Sequence, residues 1–208
     1  PYDFHSCDIR DDESVKALVG AIMADHGRLD IVVNNAGGSP YVLAADASAK
    51  FSTKIIELNL LGALSVSTHA NAVMQNQDSG GVIVNITSVS GRRPTPGTVA
   101  YGAAKAGVEN MTATLAVEWA PKVRVNSVVV GMVETEQPEL FYGDAASIAA
   151  LSKHVPLLRV DQPADTGSAN AFPPSRAASK PTGTPHHVPV RASTAPSLPT
   201  TTPRTTHR

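Results

Sequence analysis

The sequence has one cysteine, Cys7, and so cannot form an intrachain disulfide. That scarcity fits a reducing compartment, and no charged neighbour pattern marks Cys7 as an activated thiol. Long apolar runs are also lacking. The best candidate, "VNSVVVGMV", is interrupted by Asn126, Ser127 and Gly131, too early to cross a bilayer. With no secretory leader either, the expected location is the cytoplasm, with no membrane partner. No metal site is expected. A net charge of −1 argues against a nucleic-acid partner. Acid is absent from the whole stretch after Asp165, whereas residues 1–170 carry 12 basic side chains against all 18 acidic ones. The last 38 residues hold five basic groups and half of the 16 prolines. This Pro/Thr-rich basic tail, 171–208, has no hydrophobic period and is expected to be disordered or non-native, leaving 1–170 as the folded part.

Within 1–170, apolar strand patterns alternate with helical ones. "PYDFHSCDI" has the alternation of a strand. Val15, Leu18, Val19 and Ile22 then recur at helical spacing, with acids at the start and Gly27 as the stop. "LDIVVNN", "GGVIVNITS" and "VRVNSVVV" are short, continuously apolar strands of the kind buried on both faces. Between them, helices are expected over about 46–77 and 100–120, with shorter ones over 144–153 and 163–171. This alternation predicts an α/β fold, a doubly wound parallel sheet of Rossmann-like type. Ligands in such folds sit beyond the carboxyl ends of the strands, which here are small or polar: Asp8, 34–37, 87–90 and 130–135.

One stretch there carries chemistry. In "AYGAAKAG", Tyr101 and Lys105 stand four apart and share a helix face. An ammonium beside a phenol favours the phenolate, which makes Tyr101 a candidate acid or base near neutral pH. The surrounding glycines and alanines leave room for a flat molecule against the helix. Ser88 ends the preceding strand, where its hydroxyl would steady a substrate oxygen. Asn59 lies among leucines in a helix, where a buried amide must find partners. Taken one at a time, each has an ordinary structural explanation.

Together, these residues resemble the compact form of the short-chain dehydrogenase/reductase family. "NNAG" at 34–37 matches the motif after that family's fourth strand. Asn59, Ser88, Tyr101 and Lys105 match its catalytic tetrad, and Asp8-Ile9 its adenine-contacting pair. "VRVNSVVVGMVET" is similar to its nicotinamide-lining segment, with Val130-Gly131 where Pro-Gly is usual. The resemblance implies NAD or NADP as cofactor, bound by Asp8, Ile9, Asn35, Ala36, Gly37, Tyr101, Lys105, Val133 and Thr135. It implies hydride transfer with a secondary alcohol or ketone. Tyr101 would exchange the hydroxyl proton, Lys105 would assist it and hold the ribose, Ser88 would bind the substrate oxygen, and Asn59 would support a relay water. Homodimers or homotetramers are usual, through the helices carrying Asn59 and Tyr101.

The resemblance also exposes gaps. The glycine-rich turn T-G-x-x-x-G-x-G is absent, as are the first two βα units, so the first strand is left without a partner and the second becomes an apolar edge. The chain by itself is therefore expected to be an inactive, poorly folded fragment. Lys180-Pro181 and the following prolines replace the expected last strand, through a reading-frame change or a divergent tail. A non-catalytic relative used for binding or assembly, and a sugar-nucleotide epimerase, are the competing readings. Val42, Leu43, Met132, Leu140, Phe141 and Tyr142 would either line a pocket for a bulky alicyclic or acyl alcohol or ketone, steroids among them, or simply pack the lid.

Overall fold

A computed structural model describes residues 2–134, 159, 161–171, 173–174 and 181–187. Its centre is a four-stranded, wholly parallel sheet: β1 (Ile31–Asn34), β2 (Gly81–Ser88), β3 (Val123–Val130) and β4 (Pro185–His187), hydrogen-bonded in that order. The sequence pattern accounts for β2 and β3. Both are apolar on both faces, and nearly every residue is buried, as a parallel sheet between two helical layers requires. Ile83, Val123 and Val125 pack with Ala70, Met74, Leu115 and Ala116 on one face, while Val82, Val84, Ile86, Val128 and Val130 form the other. Each such buried aliphatic side chain contributes roughly 1.5–3 kcal/mol.

The helices follow from local signals. α1 (Asp12–His26) has Asp12 and Glu13 in its first turn and ends at Gly27, whose φ of 70° provides the left-handed cap. α2 (Ala49–Ile56) is capped by Ser48, whose hydroxyl accepts from the Phe51 amide at 3.1 Å. α3 (Gly62–Met74) and α4 (Val99–Glu118) flank the sheet, and α5 (Pro163–Ala171) closes the described part of the second face. The expected helix at 144–153 lies outside the described residues. None of the described helices is long and apolar enough to cross a membrane.

Three expectations need correction. The predicted strand over "PYDFHSCDI" does not form: residues 2–8 have no regular structure, and Tyr2 and Phe4 are almost fully exposed. A strand needs a neighbour, and none of the described residues offers one. The single helix predicted over 46–77 is two helices joined by a π-helical turn, Glu57–Leu61. The tail is not wholly without structure. Gly183 donates to the Val125 carbonyl at 2.6 Å, and Pro185–His187 pairs with Ser127–Val129. The prolines are tolerated because Pro185 opens a short strand with β3 on only one side.

β1 is the other edge. Ile31 and Val33 are 48% and 45% exposed there. Beside it opens an apolar groove of about 280 Å³, lined by Leu18, Val19 and Ile22 of α1, Ala63, Val66 and Ala70 of α3, and the β1 residues.

Candidate active site

The carboxyl end of β2 and the first half of α4 converge through a tight turn. Ser88, the last residue of β2, is 8% exposed, and its hydroxyl accepts from the Ser90 amide at 3.2 Å. A 3-10 turn, Val89–Gly91, then lies directly on α4. A Cβ at Gly102 would stand 2.7 Å from the Ser90 carbonyl oxygen, and one at Gly91 2.7 Å from the Ala106 nitrogen. These contacts give "AYGAAKAG" a different explanation from the one its composition suggested. Gly102 receives the turn, Gly107 receives Leu60, and Ala104 is buried in the protein. The small residues let the protein close on itself around Tyr101 and Lys105.

Tyr101 and Lys105 share a face, as their spacing predicts. Lys105 is not a solvated surface charge: it is 5% exposed, with Nζ 5.7 Å from the centre of the Tyr101 ring. Nζ donates to the Ile86 carbonyl at 2.8 Å. Burial away from water disfavours the ammonium and lowers the Lys105 pKa to about 8. The group is thus charged at neutral pH, within reach of losing its proton.

Asn59 is 1% exposed and occupies the π-helical turn. Its side-chain amide donates to the Ile55 and Gly38 carbonyls, and its oxygen accepts from the Gly38 amide. The π turn takes in about one extra residue and swings this amide inward, a distortion frequent at functional sites. Gly37 is wedged between the two polar groups. A Cβ on it would stand 2.5 Å from Asn59 Oδ1 and 3.4 Å from Lys105 Nζ. The backbone of Gly37 is therefore what Asn59 and Lys105 both approach.

The residues predicted to hold a dinucleotide fall in two places. Ile9, Asn35 and Ala36 line the apolar groove, and Ile9 lies against the backbone of Gly62. Asp8 is beside it, with its carboxylate bound to Arg10 at 2.7 Å, which holds its pKa down at about 2. Gly37 lies between the groove and the Lys105 side chain. Val133 bridges to Asp161 beyond the end of β3. Thr135, Leu140, Phe141 and Tyr142 lie outside the described residues. Of the other predicted pocket residues, Met132 is buried, Val42 half-buried and Leu43 exposed.

NAD(P) fits this surface at its two ends only. A nicotinamide ribose would have Tyr101 and Lys105, and an adenine would have the Asp8-Ile9 corner. For the diphosphate, the described residues offer no glycine-rich turn. The helix start nearest the Asp8-Ile9 corner is that of α1, where Asp11, Asp12 and Glu13 would repel it.

A polar network behind the site escaped the sequence reading. Asn34 donates to Asn85 and Ser67 at 2.8 and 2.9 Å, and Asn85 donates to Thr112 at 2.9 Å. It joins β1, β2, α3 and α4. The first asparagine of "NNAG" thus serves the sheet, while the following residues face the groove. Two asparagines ending or crossing apolar strands are its only trace in the sequence.

Comparisons with known proteins point the same way. Residues 1–189 match a family model described as enoyl-(acyl carrier protein) reductase. An oxidoreductase of Mycobacterium tuberculosis is 32% identical over 178 residues, covering 86% of this chain and 68% of that protein. The 3beta-hydroxysteroid dehydrogenase 1 of Eggerthella lenta is 34% identical, covering 85% of this chain and 68% of its own. Among solved structures, ElxO with NADP bound superposes with a TM-score of 0.82 at 31% identity, covering 89% of this chain and 76% of its own.

Proposed function

The chain belongs to the short-chain dehydrogenase/reductase family, and from that membership we propose that it carries the proton-transfer part of an NAD(P)-dependent oxidoreductase acting on a secondary alcohol or ketone. The observation that carries this reading is the buried ammonium of Lys105, held by the Ile86 carbonyl beside the Tyr101 ring. A charge is costly to bury, and among the described residues no acidic side chain is hydrogen-bonded to it. Its placement next to a phenol at a strand end is what proton transfer requires.

The bound nicotinamide supplies or accepts the hydride. This chain's residues do the rest. Tyr101 gives its phenolic proton to a ketone oxygen, or takes one from an alcohol. Lys105 stabilises the phenolate and holds the ribose. Ser88 steadies the substrate oxygen. Asn59, fixed by Gly38, orders the backbone behind Lys105 through which a relay water would pass. Val42, Leu43 and Met132 give the mouth an apolar side, which suits a bulky alicyclic or acyl substrate, and the similarity to a hydroxysteroid dehydrogenase supports a substrate of that kind. Exposed Leu61, Leu64, Val99 and Val117 on α4 and around the start of α3 support dimers or tetramers formed through those helices.

The same reading holds that the 208 residues alone do not turn over. Support for this is the open groove beside β1 and the want of a diphosphate cradle among the described residues. Saturable NAD(P) binding by the isolated chain, measured by calorimetry, would refute it. The decisive experiment joins the chain to a glycine-rich βαβ segment of a relative and follows NAD(P)H oxidation with a panel of ketones. Tyr101→Phe should lower turnover by about 10²–10⁴-fold while leaving cofactor affinity unchanged. Near-normal turnover would sink the assignment and return the non-catalytic binding protein to first place.

A further inference from the structure

Tyr101 lies in the first turn of α4, and that turn is poorly secured from within. Its N-cap residue, Thr98, makes no side-chain capping bond to the helix; the Thr98 hydroxyl turns back to the Thr95 carbonyl at 3.1 Å. An uncapped first turn frays more readily than the rest of a helix. A general acid needs a fixed position, so something else must hold this end.

What holds it comes from the loop after β1. The Val42 amide donates to the Gly97 carbonyl at 2.8 Å. The ring of Tyr41 covers the Gly97 Cα so closely that a methyl there would overlap it. Gly97 is buried beneath that ring, with φ of 81°, in the left-handed region that favours glycine. At its other end, the same loop is fastened by two hydrogen bonds between Gly38 and Asn59. Residues 38–42 thus run as a strap from the π-helical turn to the entrance of α4.

We propose that Tyr41 is a positioning residue: its ring on Gly97, with the Val42–Gly97 hydrogen bond, takes the place of a helix cap and fixes the turn that carries Tyr101. The inference rests on the reading of Tyr101 as the proton-transfer group. Tyr41 itself is 56% exposed, so its truncation removes a surface clamp and leaves the core intact. The hydroxyl plays no part; the ring does.

Amide hydrogen exchange on the 208-residue chain, read by NMR, tests this without cofactor or turnover. Failure of the strap and failure of the catalytic assignment are therefore seen separately. Two amides report: Val42, bonded to Gly97, and Gly102, which donates to the Thr98 carbonyl at 2.9 Å. In Tyr41→Ala both should exchange about five- to tenfold faster, the size of losing a helix cap, with β2 and β3 amides unmoved. The Tyr101 ring resonances should shift in the same variant. Tyr41→Phe should behave as wild type. Gly97→Ala, which displaces the ring from the other side, should repeat Tyr41→Ala. Unchanged Gly102 exchange in Tyr41→Ala, or a Tyr41→Phe variant as loose as Tyr41→Ala, overturns the proposal.

Discussion

Lys105 gives the sharpest quantitative prediction, because its cost and its use are separable by pH. Its pKa is lowered from 10.5 to about 8 by burial. In the unfolded chain it stays protonated up to the ordinary lysine value. Between about pH 8 and 10.5 the unfolded state therefore binds more protons than the folded one, and stability must rise with pH across that window. Below pH 8 both states are charged and the full penalty is present. The difference of 2.5 pH units corresponds to about 3 kcal/mol at 1.36 kcal/mol per unit. Lys105→Met removes the titration and keeps the volume. Relative to that variant, wild type should gain about 3 kcal/mol as pH goes from 7 to 10.5. The lost bond to Ile86 and the altered packing add a constant that does not depend on pH. Urea denaturation at pH 7, 8, 9 and 10.5, with both proteins carrying Tyr101→Phe so that the neighbouring phenol does not titrate, reads the effect, and the remaining titrating groups cancel in the difference. A flat difference would mean that Lys105 is solvated in solution. A falling one would mean that a hidden anion raises its pKa, and either result removes the basis of the proton-transfer site.

Other expectations follow from single contacts. Asn59→Ala leaves the half-buried Gly38 amide and carbonyl unpaired and should cost up to about 1–3 kcal/mol per unsatisfied group, seen in the urea midpoint; no change would mean that Gly38 finds water. Gly37→Ala sets a methyl 2.5 Å from Asn59 Oδ1 and should displace that amide, shifting its NMR resonance even where stability is kept. Ile31→Lys with Val33→Lys, on the exposed edge of β1, should reduce self-association in sedimentation or light scattering with little loss of stability; unchanged association would place the sticky surface elsewhere.

The elements carried by strong hydrophobic period were legible from residue order alone: β1, β2, β3, α1 and α4 fall where the pattern puts them. The four positions proposed as a tetrad stand out in the sequence as a constellation and through family resemblance, and spacing alone places Tyr101 and Lys105 on one helical face. Its internal geometry was not. Nothing in "IIELNLLG" shows that the helix adds a residue per turn at Asn59, because a π turn disturbs the period by less than the scatter of apolar residues. The strand expected over 1–9 failed because alternation measures how well a segment would suit a sheet, not whether a neighbour exists. β4 was missed for the opposite reason. Pro185 and two histidines look wrong for a strand, yet an edge position needs only one row of backbone partners. Tyr41 belonged to a segment expected near the site, but its role depends on a glycine 56 residues away, beyond the reach of local pattern.

The Asn34–Asn85–Thr112 network has one more consequence, for alignment of the strands. β2 and β3 are so rich in valine and isoleucine that hydrophobicity alone scarcely distinguishes one pairing from another. Sliding β2 by two residues would keep every side chain on its own face, and along Val82, Val84 and Ile86 it would exchange aliphatic for aliphatic. It would also carry Asn85 about 6.6 Å along the sheet, away from both the Asn34 amide and the Thr112 hydroxyl. The slipped form would then bury unpaired amides at the centre of the protein. These few polar atoms act as an index pin in an otherwise uniform rack, and they set where the end of β2, and Ser88 with it, comes to rest.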